Sequence, residues 1–179
     1  MMKKTVLATV LVFILLGLCC ACGTKPVPDY SAIRTGAWEA EIRGERDGAA
    51  FSAKIGVTPA EENTAVWIEY LTPDTLCGIS VTATCDADGR LYGTAELRRG
   101  ETVVNRDAAD FRGLLEPTLC WFSLDTHTAV QKEGDSFVLQ FPDGVSVALD
   151  ETGVPRSYSS PSLRYDVIWL EKGNVEKKG

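Results

Sequence analysis

From Trp38 onward the chain alternates apolar and polar positions in short runs separated by turn residues. Trp38, Ala40 and Ile42 interleave with Glu39, Glu41 and Arg43. Phe51, Ala53, Ile55 and Val57 repeat the pattern after the Arg43–Gly48 loop, RGERDG. A period of two sends successive side chains to opposite faces, so each run predicts a strand with one face in a core. The clearest unit is Asn63–Cys85. It reads as an apolar strand, a Thr72-Pro73-Asp74 corner, and a strand in which Ile79, Val81 and Ala83 oppose Ser80, Thr82 and Thr84. After an Asp86–Gly89 turn, Leu91, Ala95 and Leu97 alternate with Tyr92, Thr94 and Glu96. Phe137, Leu139 and Phe141 lead through Pro142-Asp143-Gly144 to Val145, Val147 and Leu149. The polar stretch Arg156–Ser160 predicts an edge strand, and Leu163, Tyr165, Val167 and Trp169 predict a closing one. Trp38, Trp67 and Trp169 are expected as large core residues of adjacent strands. Repeated hairpin signals of this kind predict an antiparallel sheet.

The period lengthens between Asn105 and Asp125. Ala108, Phe111, Leu114 and Leu115 fall at helical spacing behind Asn105 or Asp107 as the cap. Pro117 is placed to begin a second short turn carrying Leu119, Cys120, Trp121 and Phe122. The fold class expected is therefore α+β and mainly β: a curved antiparallel half-barrel sheet with a short helical segment packed on one face.

Residues 1–21 stand outside that fold. Lys3 and Lys4 precede an apolar run, Thr5–Leu18, that is short beside the ~20 residues a membrane span needs. The run ends in Leu-Cys-Cys-Ala-Cys-Gly, which resembles the lipobox of bacterial lipoproteins, with a small residue before Cys22 and glycine after it. Cys22 is the expected lipidation site, its diacylglyceryl group and added acyl chain (palmitate or similar) forming the anchor. Removal of the leader leaves about 158 residues, enough for one domain with a core, and shifts the formal charge from -7 to about -9. So acidic a domain is poorly suited to nucleic acid, where Lys and Arg must neutralise phosphate. It is also poorly suited to electrostatic adhesion on anionic lipid, which leaves anchoring to the acyl chains.

Three cysteines remain beyond the leader. Cys77 and Cys85, on one extended strand, would lie about 26 Å apart and could not bridge each other; Cys120 is left open to pair with either. All three are expected as small buried apolar side chains, and no spacing matches a zinc site. His127 is the sole histidine. Its neighbours Ser123 and Asp125 do not form a triad motif, since no Gly-x-Ser-x-Gly elbow occurs, and an exposed loop histidine is expected. Asp86-x-Asp88-Gly89 lacks the length and closing glutamate of a calcium loop. The pairs Glu61/Glu62 and Glu39/Glu41 are expected on wet surfaces rather than across a catalytic cleft. No enzyme activity, cofactor or metal is expected. The remaining candidates are Phe111, Leu114, Leu115, Trp121 and Phe122, which either fill the core or line an apolar pocket between helix and sheet.

The lipobox-like ending at Cys22, the Phe51–Val57 strand, the run Thr72-Pro73-Asp74-Thr75-Leu76-Cys77-Gly78-Ile79 and the Gly134–Leu149 hairpin together resemble LolA-like half-barrel lipoproteins, in particular a group from Gram-positive gut bacteria. That resemblance implies a curved sheet whose hollow holds helices and binds acyl chains of lipids or lipoproteins; the same fold also serves sensor domains. The organisation expected is a signal peptide (1–21), a lipidated tether (22–35), a half-barrel domain (36–172) and a polar tail (173–179). The function expected is that of a non-enzymatic lipoprotein on the extracytoplasmic face of the cell membrane. It would bind a lipid or other apolar ligand between helix and sheet, or act as a structural or sensory module on another envelope protein.

Overall fold

The computed structural model describes residues 27–60, 63–124 and 127–173. The leader, Cys22, Glu61, Glu62, Asp125 and the tail beyond 173 lie outside the described residues. Among the described residues eleven strands follow a short helix α1 (Ser31–Thr35). They are β1 (Trp38–Arg46), β2 (Ala49–Pro59), β3 (Thr64–Thr72), β4 (Ile79–Cys85), β5 (Leu91–Arg99), β6 (Thr102–Asp107), β7 (Ala129–Glu133), β8 (Ser136–Gln140), β9 (Ser146–Asp150), β10 (Pro155–Ser159) and β11 (Leu163–Lys172). A 3-10 turn (Ala108–Phe111) running into helix α2 (Arg112–Leu119) separates β6 from β7.

All eleven strands form one open sheet in the order β6-β5-β4-β3-β2-β1-β11-β10-β9-β8-β7. The chain enters at the middle with β1, meanders to the β6 edge, crosses, and meanders back from the β7 edge until β11 pairs with β1. The 3-10 turn and α2 make that crossing. A connection between opposite edges must run over a face of the sheet, and its apolar stripe is what lets it do so.

Register follows from the alternation. Ala40, Ile55, Ile68, Val81 and Leu97 are successive cross-strand partners, a row across five strands on one face, here called the inner face. A slip of one residue would turn a whole strand's apolar set outward, so burial fixes this pairing. Ile42, Ile55, Ile68, Val81, Leu139 and Leu149 are fully buried, each contributing about 1.5–3 kcal/mol by leaving water. The expected half-barrel sheet with a helical segment on one face is thus present, and the sheet does not close into a barrel.

Several local expectations are corrected. The polar β10 is not an edge strand, since it pairs with both β9 and β11; the edges are β6 and β7, neither anticipated as a strand. Trp38 is buried, but Trp67 sits on the outer face, its indole lying over Gly56 where a Cβ would come within 2.4 Å of the ring. Trp169 is 37% exposed. A β-bulge between β1 and β11 pairs Val167 with Ile42 but Trp169 with Glu41, so the parity that held through Leu163, Tyr165 and Val167 reverses. Leu170 takes the inner face instead, and the Trp169 Nε1–H donates to Glu41 Oε2 at 3.1 Å.

Candidate functional site

The helical segment begins at the expected cap, but as a 3-10 turn, with α2 following from Arg112 behind Phe111, which makes no side-chain cap. Asp107 caps the 3-10 turn, its carboxylate accepting from the Ala109 N–H at 2.9 Å. Pro117, however, lies inside α2 rather than starting a new turn. Proline has no N–H, so the carbonyl four residues earlier, that of Gly113, loses its helical partner. Arg46 at the end of β1 supplies the missing donor: its Nη1 donates to the Gly113 carbonyl, and its Nη2 pairs with Glu116 Oε2 at 2.5 Å. Three more bonds fasten the helix to the sheet. The Tyr70 hydroxyl donates to the Leu114 carbonyl at 2.8 Å, the Thr118 hydroxyl to the Trp67 carbonyl at 3.1 Å, and the Tyr165 hydroxyl to the Pro117 carbonyl at 2.9 Å.

Of the five candidate ligand residues, Phe111, Leu115, Trp121 and Phe122 are buried in the main core. Trp121 is 2% exposed, with its ring edge-on to Trp38 at 6.5 Å, Tyr158 at 5.8 Å and Tyr165 at 6.2 Å between centroids. The fifth, Leu114, is half-buried and lines a cleft of about 160 Å³ between α2, the β1–β2 turn and the β3–β4 corner. Phe51, Tyr70, Pro73, Leu76 and Pro117 share that lining, with Arg46 and Asp47 at its rim. Sequence pattern pointed to Leu114 and to the Pro73–Leu76 corner separately. What it could not supply was that the crossing helix passes beside that corner.

On another side of α2 lies a larger cleft, about 340 Å³, lined by Asp88, Arg112, Glu116, Cys120, Ser123 and Tyr158 among others. Polar and apolar groups share its lining, and the Cys120 thiol there is not activated. Burial pushes the Cys120 thiol up to about 12, and the Tyr165 hydroxyl beside it (3.1 Å) is raised well above its ordinary value, again chiefly by burial. Burial likewise lifts Cys85 to about 11. All three described cysteines are free thiols, and Cys77 is exposed in the corner rather than buried as expected. Iodoacetamide at pH 8 should therefore alkylate Cys77 in the native protein and leave Cys85 and Cys120 unmodified until denaturant is added, as read by peptide mass spectrometry. Native labelling of Cys120 would contradict the burial described here.

His127 is half-buried, not an exposed loop residue. Its ring meets Tyr30 and Phe141 edge-on at 6.4 Å from each, and Nδ1 is buried without a hydrogen-bond partner. Among the described residues no group of three or more His, Cys, Asp or Glu side chains is arranged to hold a metal ion, and no helix is long and apolar enough to cross a membrane.

No family model matches the chain, and no curated protein matches it in sequence. Among solved structures, an uncharacterised conserved protein from Thermus thermophilus is similar over 82% of this chain and 84% of its own, with a TM-score of 0.50 and 12% identity. A putative outer membrane lipoprotein-sorting protein domain from Vibrio parahaemolyticus is similar over 81% and 90%, with a TM-score of 0.44 and 10% identity. At such identity the first likeness is one of fold alone, and the second, below 0.5, carries no weight.

Proposed function

We propose that this protein is a non-enzymatic binding domain held on the extracytoplasmic face of the cell membrane through a diacylglyceryl Cys22, and that the cleft beside Leu114 takes an apolar group. The observation that carries this is the cleft itself: an apolar hollow open between helix and sheet beside a packed core. Its size limits the occupant. About 160 Å³ falls short of the roughly 300–1,000 Å³ of sites that enclose a drug-sized ligand. It suits one apolar side chain or the end of an acyl chain. A whole lipid has no room, because the core already occupies the space that Phe111, Leu115, Trp121 and Phe122 were expected to line.

The test uses the mature lipidated protein in detergent, with octanoate as probe and saturation-transfer NMR as readout. The octanoate methyl end should receive saturation from the wild type, lose it in Leu76→Asp, and keep it in Trp169→Ser, which alters only the outer face. No transfer to the wild type would sink the apolar-ligand reading. The anchor is tested separately. Cells fed an alkyne-bearing palmitate should label the wild type and lose the label in Cys22→Ser, but not in Cys19→Ser or Cys20→Ser.

A second reading is favoured by a different observation. Ile168 and Trp169, 49% and 37% exposed at the bulge in β11, present apolar surface on the outer face. A structural or sensory module that docks another envelope protein there would use them.

A further inference from the structure

We infer that the apolar cleft receives an apolar side chain carried on a basic segment of another envelope protein, rather than lipid from the membrane to which the domain is tethered; this deepens the reading above and rests on it. The first support is where the cleft points. Pro28 and Asp29 lie against Gly153 in the β9–β10 turn, where an added Cβ would come within 2.4 Å of the Asp29 carbonyl. That turn is at the same end of the antiparallel sheet as Trp38, the first residue of β1. The cleft lies at the other end, formed by the β1–β2 turn and the β3–β4 corner. Nine residues of β1 separate the two ends, roughly 26 Å at strand rise. From Cys22 to Val27 the chain can span at most about 18 Å. An anchored Cys22 therefore holds the β9–β10 end toward the bilayer and directs the cleft away from it.

The second support is charge. Arg46 at the rim is neutralised by Glu116 at 2.5 Å. Asp47, also at the rim, and Asp74, between the lining residues Pro73 and Leu76, are exposed and have no ion pair among the described residues. Arg99 sits at the same end on β5, across from Ile79, but does not line the cleft. The mouth is thus apolar inside and acidic outside. A fatty acid would bring its carboxylate toward those aspartates and bind the more weakly for it. A leucine or phenylalanine flanked by lysine or arginine would bury its side chain and set its cations against them.

The experiment compares three probes on the mature lipidated protein. They are the blocked pentapeptide Lys-Lys-Leu-Lys-Lys, its Glu-Glu-Leu-Glu-Glu counterpart, and octanoate, each titrated by saturation-transfer NMR at low salt. The basic peptide should bind about tenfold or more tightly than the acidic one. Leu76→Asp should abolish its binding. The double substitution Asp47→Asn with Asp74→Asn should bring the two peptides to within about twofold of each other. Asparagine is chosen because Asp47 has φ of 48°, which asparagine tolerates. Octanoate binding without peptide binding, or peptides bound without charge preference, would overturn this inference and leave the apolar-ligand reading standing. Binding of none of the three would overturn both.

Discussion

Trp121→Ala is expected to lower the stability of the domain by about 3–5 kcal/mol, the range for truncating a large aromatic in a packed core. Trp121 lies just past α2, at the centre of an aromatic cluster with Trp38, Tyr158 and Tyr165. Tyr158 and Tyr165 are themselves stacked at 5.5 Å. Removing the indole deletes the edge contacts of three rings at once and leaves a hollow that three strands and a helix cannot collapse to fill. The cost should appear in urea unfolding as a fall in midpoint with little change in slope. Octanoate binding to whatever remains folded should persist, because Trp121 is not part of the cleft lining. The opposite pattern, near-native stability with binding lost, would mean that Trp121 faces a ligand after all. The same logic applies to Phe111, Leu115 and Phe122, but Trp121 has the largest buried surface and gives the clearest separation.

Much of the sheet was legible because period-two alternation is a local signal. β1 to β5 and β8, β9 and β11 were each visible as runs, and the Asn63–Cys85 unit formed as read. Failures came where a tertiary term outweighed local pattern. β6 and β7 are almost wholly exposed, so they carry no apolar alternation and owe their existence to pairing with β5 and β8. β10 is polar yet interior, since neighbours on both sides satisfy its backbone. Trp169 changes face through a bulge that no parity count can see. Pro117 sits mid-helix because Arg46, far away in sequence, bonds the carbonyl that proline orphans. The candidate site shows the same division. Helical spacing picked out the stripe that meets the sheet, but telling filled core from open cleft requires knowing which strand ends the helix passes. Only Leu114 of the five proved to line the opening.

Gly44→Ala should be nearly as damaging, at about 3 kcal/mol or more, and it tests the central seam where the two meanders join. Gly44 pairs with Tyr165 across β1 and β11. A Cβ there would lie 2.0 Å from the Arg164 carbonyl oxygen and 2.5 Å from the Tyr165 Cα. These are backbone or near-backbone atoms with no rotamer to give way, so β11 itself must move. Movement of Tyr165 pulls its hydroxyl from the Pro117 carbonyl and uncovers Cys120, 3.1 Å from that hydroxyl. The variant should therefore show both a lower unfolding midpoint and faster native alkylation of Cys120. Gly113→Ala is the matched control with the opposite sign. Its Cβ would meet nothing nearer than Arg46 Nη2 at 3.9 Å, and alanine in a helix is favoured over glycine by up to about 1 kcal/mol. If Gly44→Ala and Gly113→Ala behaved alike, the close approach of β1 and β11 would not be what requires glycine at position 44. Opposite shifts, with Cys120 labelling accelerated only in Gly44→Ala, would tie the hold of α2 on the sheet to the spacing of that one strand pair.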